Sequence, residues 1–424
     1  MGLTMRERKA VVRELVARYR IASKKQKSEM LDEVIRLTGH NRCYASQLLK
    51  HSNGLSREKD RGIKLKKRRI RRRFFDDGVH SALRRVWVIM DCICGKRLAP
   101  ILKEIVRVLV KNGELRVKSE TREKLERISA STIDRLLSEE KRKLLLGSRS
   151  RTKPGTLLKS QIPIRTFSEW NDARPGFVEI DLVGHDGGDG TGDFAQTLDV
   201  TDVCTGWTET RAVRNKAQVH VLAALVKIQQ RLPFQLLGVD SDNGSEFINS
   251  HLLKFCLNEE ITFTRSRSGR KNDNCFVEQK NYSVVRRNVG YMRHDTEQEV
   301  ELLNLLYEKL RLYSNYFQPV MKLISKERIG AQVRKKYDLA QTPYHRLLVS
   351  SDVSRAVKRQ LRTTYEELNP AALKREISQI QDQLMSFATS KQKTNAPGVR
   401  RRKAVNYSPP QTHPWRRQRL SRQV

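Results

Sequence analysis

Three acidic residues, each tied to a predicted strand or helix, constrain the fold of this chain most strongly. Asp181 stands at the end of an apolar strand pattern that starts at Phe177, and Asp242 follows the apolar run 236–239. Glu278 lies on a segment with a helical pattern, and 35 residues stand between it and Asp242. Their chemistry depends on whether the fold brings the three carboxylates together.

The sequence around these acids predicts an alternation of strands and helices. Apolar residues at alternating positions predict three strands in a meander, and later segments alternate between helix and strand. The predicted strands are 177–183, 194–200, 207–213, 235–239 and 261–264, and the predicted helices are 215–232 and 247–257. This order predicts a mixed α/β sheet.

The second acid lies in the sequence Asp-Asn-Gly-Ser-Glu-Phe at 242–247. With the spacing of the three acids, this motif closely resembles the catalytic core of retroviral integrases and of the bacterial insertion-sequence transposases that share it. The resemblance covers about residues 171–290 and implies an RNase H-like core at 171–295. It implies catalytic and metal-binding roles for Asp181, Asp242 and Glu278. Asp240 is the alternative to Asp242 as a metal ligand. It is disfavoured because the family motif places the ligand just before Asn-Gly.

Carboxylate oxygens are the ligands that Mg²⁺ prefers, and clustered carboxylates repel one another when no cation lies between them. Two such ions can activate an attacking oxygen and stabilise a departing one. No Ser-His-Asp arrangement is visible in the core. We therefore expect Mg²⁺ as the cofactor, with Mn²⁺ able to substitute.

The charge of the chain predicts a polyanionic partner. Lys and Arg total 84 against 47 acids, which gives a net charge of +37. Nucleic acid is the expected partner, and the resemblance specifies double-stranded DNA: the terminal inverted repeats of a mobile element and its target. The expected DNA contacts lie in a basic run, in the loop before Glu278 and on its helix: Lys64, Lys66, Lys67, Arg68, Arg69, Arg71, Arg72, Arg73, Arg270, Lys271, Lys280, Arg286 and Arg287.

Helical patterns flank the predicted core on both sides. Residues 1–60 predict an all-α helix-turn-helix unit, with Ser23 capping its second helix and Gly39 ending it. Residues 79–147 predict a second such unit; a helical bundle with no DNA role is the alternative for the first. The remaining predictions are basic linkers at 61–78 and 148–170, a helical region at 296–394 and a basic disordered tail at 395–424.

Two departures from the retroviral pattern limit what the resemblance transfers. Retroviral integrases carry lysines four and seven residues after the catalytic Glu, where this chain has Tyr282 and Val285. Their zinc-binding amino-terminal module is also missing, and helix-turn-helix candidates stand in its place. The exact DNA contacts therefore do not carry over.

Several features predict the cellular setting. The cysteines show no CxxC spacing, and Cys92 and Cys94 are expected to be buried thiols in a helical run. No signal-like segment or apolar run of membrane-spanning length is visible. The Gly-rich segment 184–193 lacks the bidentate Glu and the regularly spaced acids of an EF-hand calcium loop, and it predicts a hairpin connection with His185 as a loop residue. A cytoplasmic, nucleoid-associated protein of a prokaryote is the expectation.

The function expected from these features is DNA transposition. The protein would bind the terminal repeats, hydrolyse the element ends and join their 3′-hydroxyls to target DNA, as a homodimer or higher multimer. Two alternatives stay open: a sequence-specific DNA-binding regulator with an inactive core, and an RNase H-like nuclease that only hydrolyses.

Overall fold

Five stretches of the chain are described by the computed structural model: residues 4–51, 74–143, 174–266, 275–329 and 332–394. The chain divides into two compact units, Met1–Arg72 and Arg73–Val424. Within the described stretches, no helix combines the length and apolar character needed to cross a membrane. Most of the predicted linkers and the whole predicted tail lie outside the described residues.

The first unit contains three helices, α1 (Met5–Ile21), α2 (Lys24–Thr38) and α3 (Arg42–His51). The side chain of Ser23 caps α2, and Gly39 ends it with a left-handed φ of 70°, which confirms both predicted helix boundaries. One apolar face of each helix contributes to a shared core, formed by Val12, Leu15, Val16, Tyr19, Leu31, Val34, Ala45 and Leu49.

The second unit begins with a helical segment. Its helices are α4 (Asp77–Ile89), α5 (Gly95–Lys111), α6 (Ser119–Glu126), α7 (Ala130–Leu136) and α8 (Ser138–Lys143). The connection from α4 to α5 corrects one expectation, since Cys92 and Cys94 lie in a turn rather than in a helix. Asp91 and Cys92 adopt positive φ values of 60° and 59°, which stop α4, and Cys94 is exposed.

A five-stranded mixed sheet forms the centre of this unit. Its strands are β1 (Phe177–Gly184), β2 (Gln196–Asp202), β3 (Thr208–Val213), β4 (Gly238–Ser241) and β5 (Thr262–Arg265), in the order β3-β2-β1-β4-β5. The first three are antiparallel neighbours, whereas β4 and β5 run parallel to β1. The predicted three-strand meander, followed by segments that alternate between helix and strand, is confirmed.

Helices cover both faces of the sheet. α9 (Gln218–Gln229) and α10 (Ser250–Asn258) pack against the face that carries Val178 and Ile180. The other face packs against α13 (Glu297–Phe317). Between α10 and α13 lie α11 (Cys275–Lys280), a π-helix (Asn281–Arg286) and α12 (Arg287–Val289).

The C-terminal part adds a hairpin and three helices: β6 (Leu323–Ile329), β7 (Gln332–Tyr337), α14 (Pro343–Val349), α15 (Arg355–Glu367) and α16 (Pro370–Thr394). Buried side chains of α4, α5 and α7 belong to the same apolar cluster as those of α13, α14 and α16. The predicted helical segments 79–147 and 296–394 therefore share one core, because each presents an apolar face that the other covers.

Candidate active site

Asp181 lies on the central strand, on the face turned away from α9 and α10. Side chains alternate along a strand, so Val178 and Ile180 enter the apolar core while Glu179 and Asp181 point to the opposite side. One carboxylate oxygen of Asp181 accepts the backbone N–H of Leu182 at 2.8 Å. Burial, together with the charges of Asp242 and Glu278, raises the pKa of Asp181 to about 7.

Asp242 follows the last residue of β4, the strand that runs parallel to β1. The register pairs Ile180 with Ser241, so the next residue on each strand is one of the two aspartates. The Oδ1 atom of Asp242 accepts the N–H of Gly244 at 2.8 Å, which fixes a tight turn. A Cβ atom on Gly244 would lie 2.9 Å from that same oxygen, so a larger residue there would displace the Asp242 carboxylate. Burial raises the pKa of Asp242.

Asp240, the rival to Asp242, has a different environment. It is fully buried within β4, and the Thr264 hydroxyl on β5 donates to its carboxylate. Its register partner on β1 is Glu179 rather than Asp181. Asp242 is only partly buried and lies at the strand end.

Glu278 is exposed on α11, and the helix continues beyond it into the π-helix. Asn281, three residues later and on the same side of the helix, donates from Nδ2 to Asp181 Oδ2 at 2.6 Å. This contact orients the helix so that its Glu278 side faces the sheet near Asp181. Widened π turns of this kind are frequent at functional sites.

The three predicted acids are near one another without forming a ligand cluster. Asp242 and Glu278 both raise the pKa of Asp181 through their charge. Across the described stretches, no group of three or more His, Cys, Asp or Glu side chains is arranged to hold a metal ion. The donor chemistry nevertheless suits a hard divalent cation, because the acids supply only carboxylate oxygens and their mutual repulsion would be relieved by positive charge.

Glu179 is a site residue that sequence reasoning missed. Its side chain is fully buried, and Oε2 accepts the backbone N–H groups of Phe276 and Val277 at 2.8 and 2.9 Å. These N–H groups belong to the first turn of α11, where they have no partner within the helix. Glu179 thus ties the helix that carries Glu278 to the central strand. The only signal in the sequence is an acid two positions before Asp181, on the same strand face.

We predict that Glu179→Ala lowers the free energy of unfolding by about 1–3 kcal/mol, because two buried N–H groups lose their acceptor. Glu179→Gln keeps an acceptor oxygen and should cost less.

Burial is the main cause that raises the pKa of Glu179 from 4.5 to about 8. The unfolded chain therefore loses this proton first, and the group destabilises the fold as pH rises from about 4.5 to about 8. Urea unfolding across that range should show a weaker pH dependence in Glu179→Gln; parallel curves would contradict the assignment.

A second unanticipated acid, Asp199, lies directly beside Asp181. The two are register partners on β1 and β2, and Asp199 is fully buried. Burial raises its pKa to about 8, against the opposing charge of Lys280. Burial likewise lowers the pKa of Lys280 to about 8, while Asp199 favours its charged form. The Lys280 side chain is thus directed toward the sheet, two positions after Glu278.

The structure describes only three of the predicted DNA contacts: Lys280, Arg286 and Arg287. Arg286 donates to the carbonyl of Gly184 at 2.7 Å, and Arg287 donates to the carbonyl of Asp91 at 2.6 Å. The two guanidinium groups therefore hold the π-helix and α12 against the rest of the unit. The remaining ten predicted contacts, at 64–73 and 270–271, lie outside the described residues.

The connection from β1 to β2 has the predicted hairpin form. His185 is nevertheless fully buried, and its Nε2 lies 2.7 Å from the Thr197 hydroxyl. Its ring packs edge-on against His294 at 5.6 Å between centroids. Burial holds the pKa of His185 well below its usual value, so the ring is neutral and anchors the connection to β2.

Comparisons with known proteins identify several that this chain resembles. Residues 171–271 match the family model described as an integrase core domain. The uncharacterized protein y4rM of Sinorhizobium fredii is 39% identical over 335 residues, which are 79% of this chain and 93% of that protein. The catalytic core domain of BIV integrase matches 40% of this chain and 91% of its own length, at 16% identity and a TM-score of 0.27. The HTLV-2 integrase catalytic core domain in complex with magnesium, in its dimeric form, matches 34% and 90%, at 14% identity and 0.26. The predicted fold class, a mixed sheet of this type preceded by an all-helical region, is confirmed.

Proposed function

The chain belongs to the integrase superfamily and to the same family as y4rM, and we propose that it is a DNA transposase with Asp181, Asp242 and Glu278 as its catalytic acids. It binds the terminal inverted repeats of its element, hydrolyses the element ends and joins the new 3′-hydroxyls to target DNA. The observation that carries this proposal is geometric: the paired parallel strands bring Asp181 and Asp242 to the same end of the sheet, and Asn281, three residues after Glu278, donates to Asp181 at 2.6 Å.

The three acids would hold Mg²⁺, or Mn²⁺ in its place. When bound, the ions would lower the pKa of the attacking oxygen and stabilise the departing one. The chain itself orients the ligands: Leu182 and Asn281 each donate to one oxygen of Asp181. Gly244 fixes one oxygen of Asp242 in the same way. Each aspartate is thus held in one orientation before any cation arrives, which reduces the cost of assembling the site.

Positive charge in the second unit supports double-stranded DNA as the partner. A cavity of about 620 Å³ beside α15 is lined by Leu348 and four basic residues: Arg355, Lys358, Arg359 and Arg362. Their spacing places all four cations on one face of the helix. No carboxylate in the described stretches forms an ion pair with any of them, so the face suits a phosphate backbone. The helices of the first unit are the proposed readers of the terminal repeats, and two ends held together require a dimer or higher multimer.

A strand-transfer assay tests this function against its alternatives. The substrate is a labelled duplex carrying the inverted repeat that flanks the gene, incubated with the protein, Mg²⁺ and a target plasmid. Labelled strands covalently joined to the plasmid are the expected product. Cleaved strands without joining would identify the hydrolytic nuclease, and binding without either reaction would identify the inactive regulator.

A further inference from the structure

The hairpin of β6 and β7 is the most exposed regular structure that the described residues form in the second unit. Every residue of β7 is exposed. The two strands are antiparallel, with Glu327 opposite Arg334 and Ile329 opposite Gln332. An isolated two-stranded hairpin is only marginally stable in water, so a hairpin without a covering layer requires another source of order.

The base of the hairpin supplies that order. The N–H of Lys322 donates to the Asp338 carboxylate at 2.6 Å, and Asp338 also pairs with Arg346 of α14 at 2.7 Å. The ammonium of Lys322 donates to the carbonyl of Cys204 in the β2–β3 connection at 2.6 Å. The strands therefore project from a fixed base.

This base lies at the end of the sheet away from the catalytic acids. Cys204 follows β2, whose last residue Asp202 pairs with Val178 at the start of β1. Asp181 is three residues further along β1, a rise of roughly 10 Å, and Asp242 lies at that same end. Whatever the hairpin binds is held apart from the reacting atoms.

The charge of the hairpin identifies its partner. Residues 323–337 contain five basic residues and one acid, Glu327. None of the carboxylates that the structure describes forms an ion pair with Arg328, Arg334, Lys335 or Lys336. Ile324, Val333 and Tyr337 are 61%, 45% and 45% exposed among these cations. Cations without counter-ions favour a polyanion over an apolar protein surface.

We propose that the hairpin of β6 and β7 is a DNA-binding ribbon that holds duplex DNA at a distance from the catalytic acids. This inference rests on the proposed function, which makes DNA the substrate. A two-stranded ribbon enters the major groove, which is about 12 Å wide, and seven residues of strand extend roughly 23 Å. The basic side chains reach the phosphates on either side of the groove, and the exposed apolar side chains contact base edges and sugars.

The test compares two triple variants by fluorescence anisotropy on a labelled random-sequence duplex at several salt concentrations. Arg334→Ala/Lys335→Ala/Lys336→Ala should bind roughly tenfold more weakly and lower the salt slope by roughly two to three, since each lost phosphate contact removes about 0.9. The control, Lys216→Ala/Lys227→Ala/Lys254→Ala, removes three exposed lysines elsewhere in the unit and should change both quantities little. Equal losses in the two variants, or no loss in the hairpin variant, overturn the proposal.

Two further measurements keep the result interpretable. Glu327→Gln removes the one acid of the hairpin without removing a contact, so it should tighten binding; unchanged or weaker binding counts against the ribbon even where the triple variant fails to fold. Normal DNA binding with loss of the multimer in the hairpin variant would make this a protein interface instead. Strand transfer by the wild-type protein is scored separately, so an active enzyme with an unimportant hairpin is distinguished from a DNA-binding protein without joining activity.

Discussion

Replacing Asp181 by Asn should reduce DNA joining at least about 100-fold, on the scale of losing one group that stabilises transition-state charge. Asp242→Asn and Glu278→Gln should do the same. Each change keeps the shape of the side chain but removes the negative charge that attracts a divalent cation. The rate of joined-product formation in Mg²⁺ measures the effect, and anisotropy should show DNA binding at the wild-type level.

Two control variants sharpen this experiment. Asp240→Asn changes the neighbouring buried acid that Thr264 holds, and it should retain joining activity wherever the protein folds. Glu301→Gln changes an exposed acid on α13 and should have no effect. An inactive Asp240→Asn beside an active Asp242→Asn would transfer the catalytic assignment to Asp240. Normal joining by any one of the three principal variants would remove that residue from the site.

The sequence predicted the sheet because its strands carry the apolar alternation that burial on one face requires. The first and last residues of each strand were less predictable, since they depend on which residues pair with the neighbouring strand. The fourth strand was predicted at 235–239 but spans Gly238–Ser241. The carbonyl of Gly176 accepts the N–H groups of both Leu237 and Gly238, at 2.8 and 3.1 Å, so regular pairing with β1 begins only there.

The supporting residues of the site could not be predicted, because their partners are distant in sequence. Glu179 lies 97 residues from Phe276, whose N–H it accepts, and nothing near Glu179 indicates that contact. The pairing of Asp199 with Asp181 likewise depends on the register of two strands. A charged residue within a strand is compatible with an edge, a turn or a buried network, and only the fold distinguishes them.

The orientation of the basic side chains could not be predicted from the sequence either. Arg286 and Arg287 follow α11 and are predicted to contact DNA; in the structure both donate to backbone carbonyls of the second unit. Charge density predicts a polyanionic partner, whereas the direction in which a single arginine side chain points depends on the orientation of its helix. The exposed cations of α15 and of the β6–β7 hairpin lie within residues 296–394, which were predicted only as a helical region. The hairpin is a departure from that prediction.

A buried ion pair links the helices before the sheet to the helices after it, and it leads to a large expected effect on stability. Lys374 of α16 is fully buried, and its ammonium lies 2.7 Å from Asp91 in the α4–α5 turn. Arg287 approaches the other carboxylate oxygen at 3.2 Å, and the ammonium lies 5.4 Å from the centre of the Tyr313 ring. One acid thus connects α16, the α4–α5 turn and α12.

Lys374→Met should lower the free energy of unfolding of the second unit by about 3–5 kcal/mol, since it leaves the Asp91 charge buried without its main partner. Asp91→Asn/Lys374→Met should recover part of that loss, because Asn removes the charge and tolerates the positive φ at this position. Lys309→Met breaks a comparable pair with Glu376 at the surface and should cost about 1 kcal/mol or less. Urea denaturation of the three variants measures the differences. A double variant less stable than Lys374→Met would mean that Asp91 keeps its stabilising contacts without the lysine, and that the pair does not link the two groups of helices.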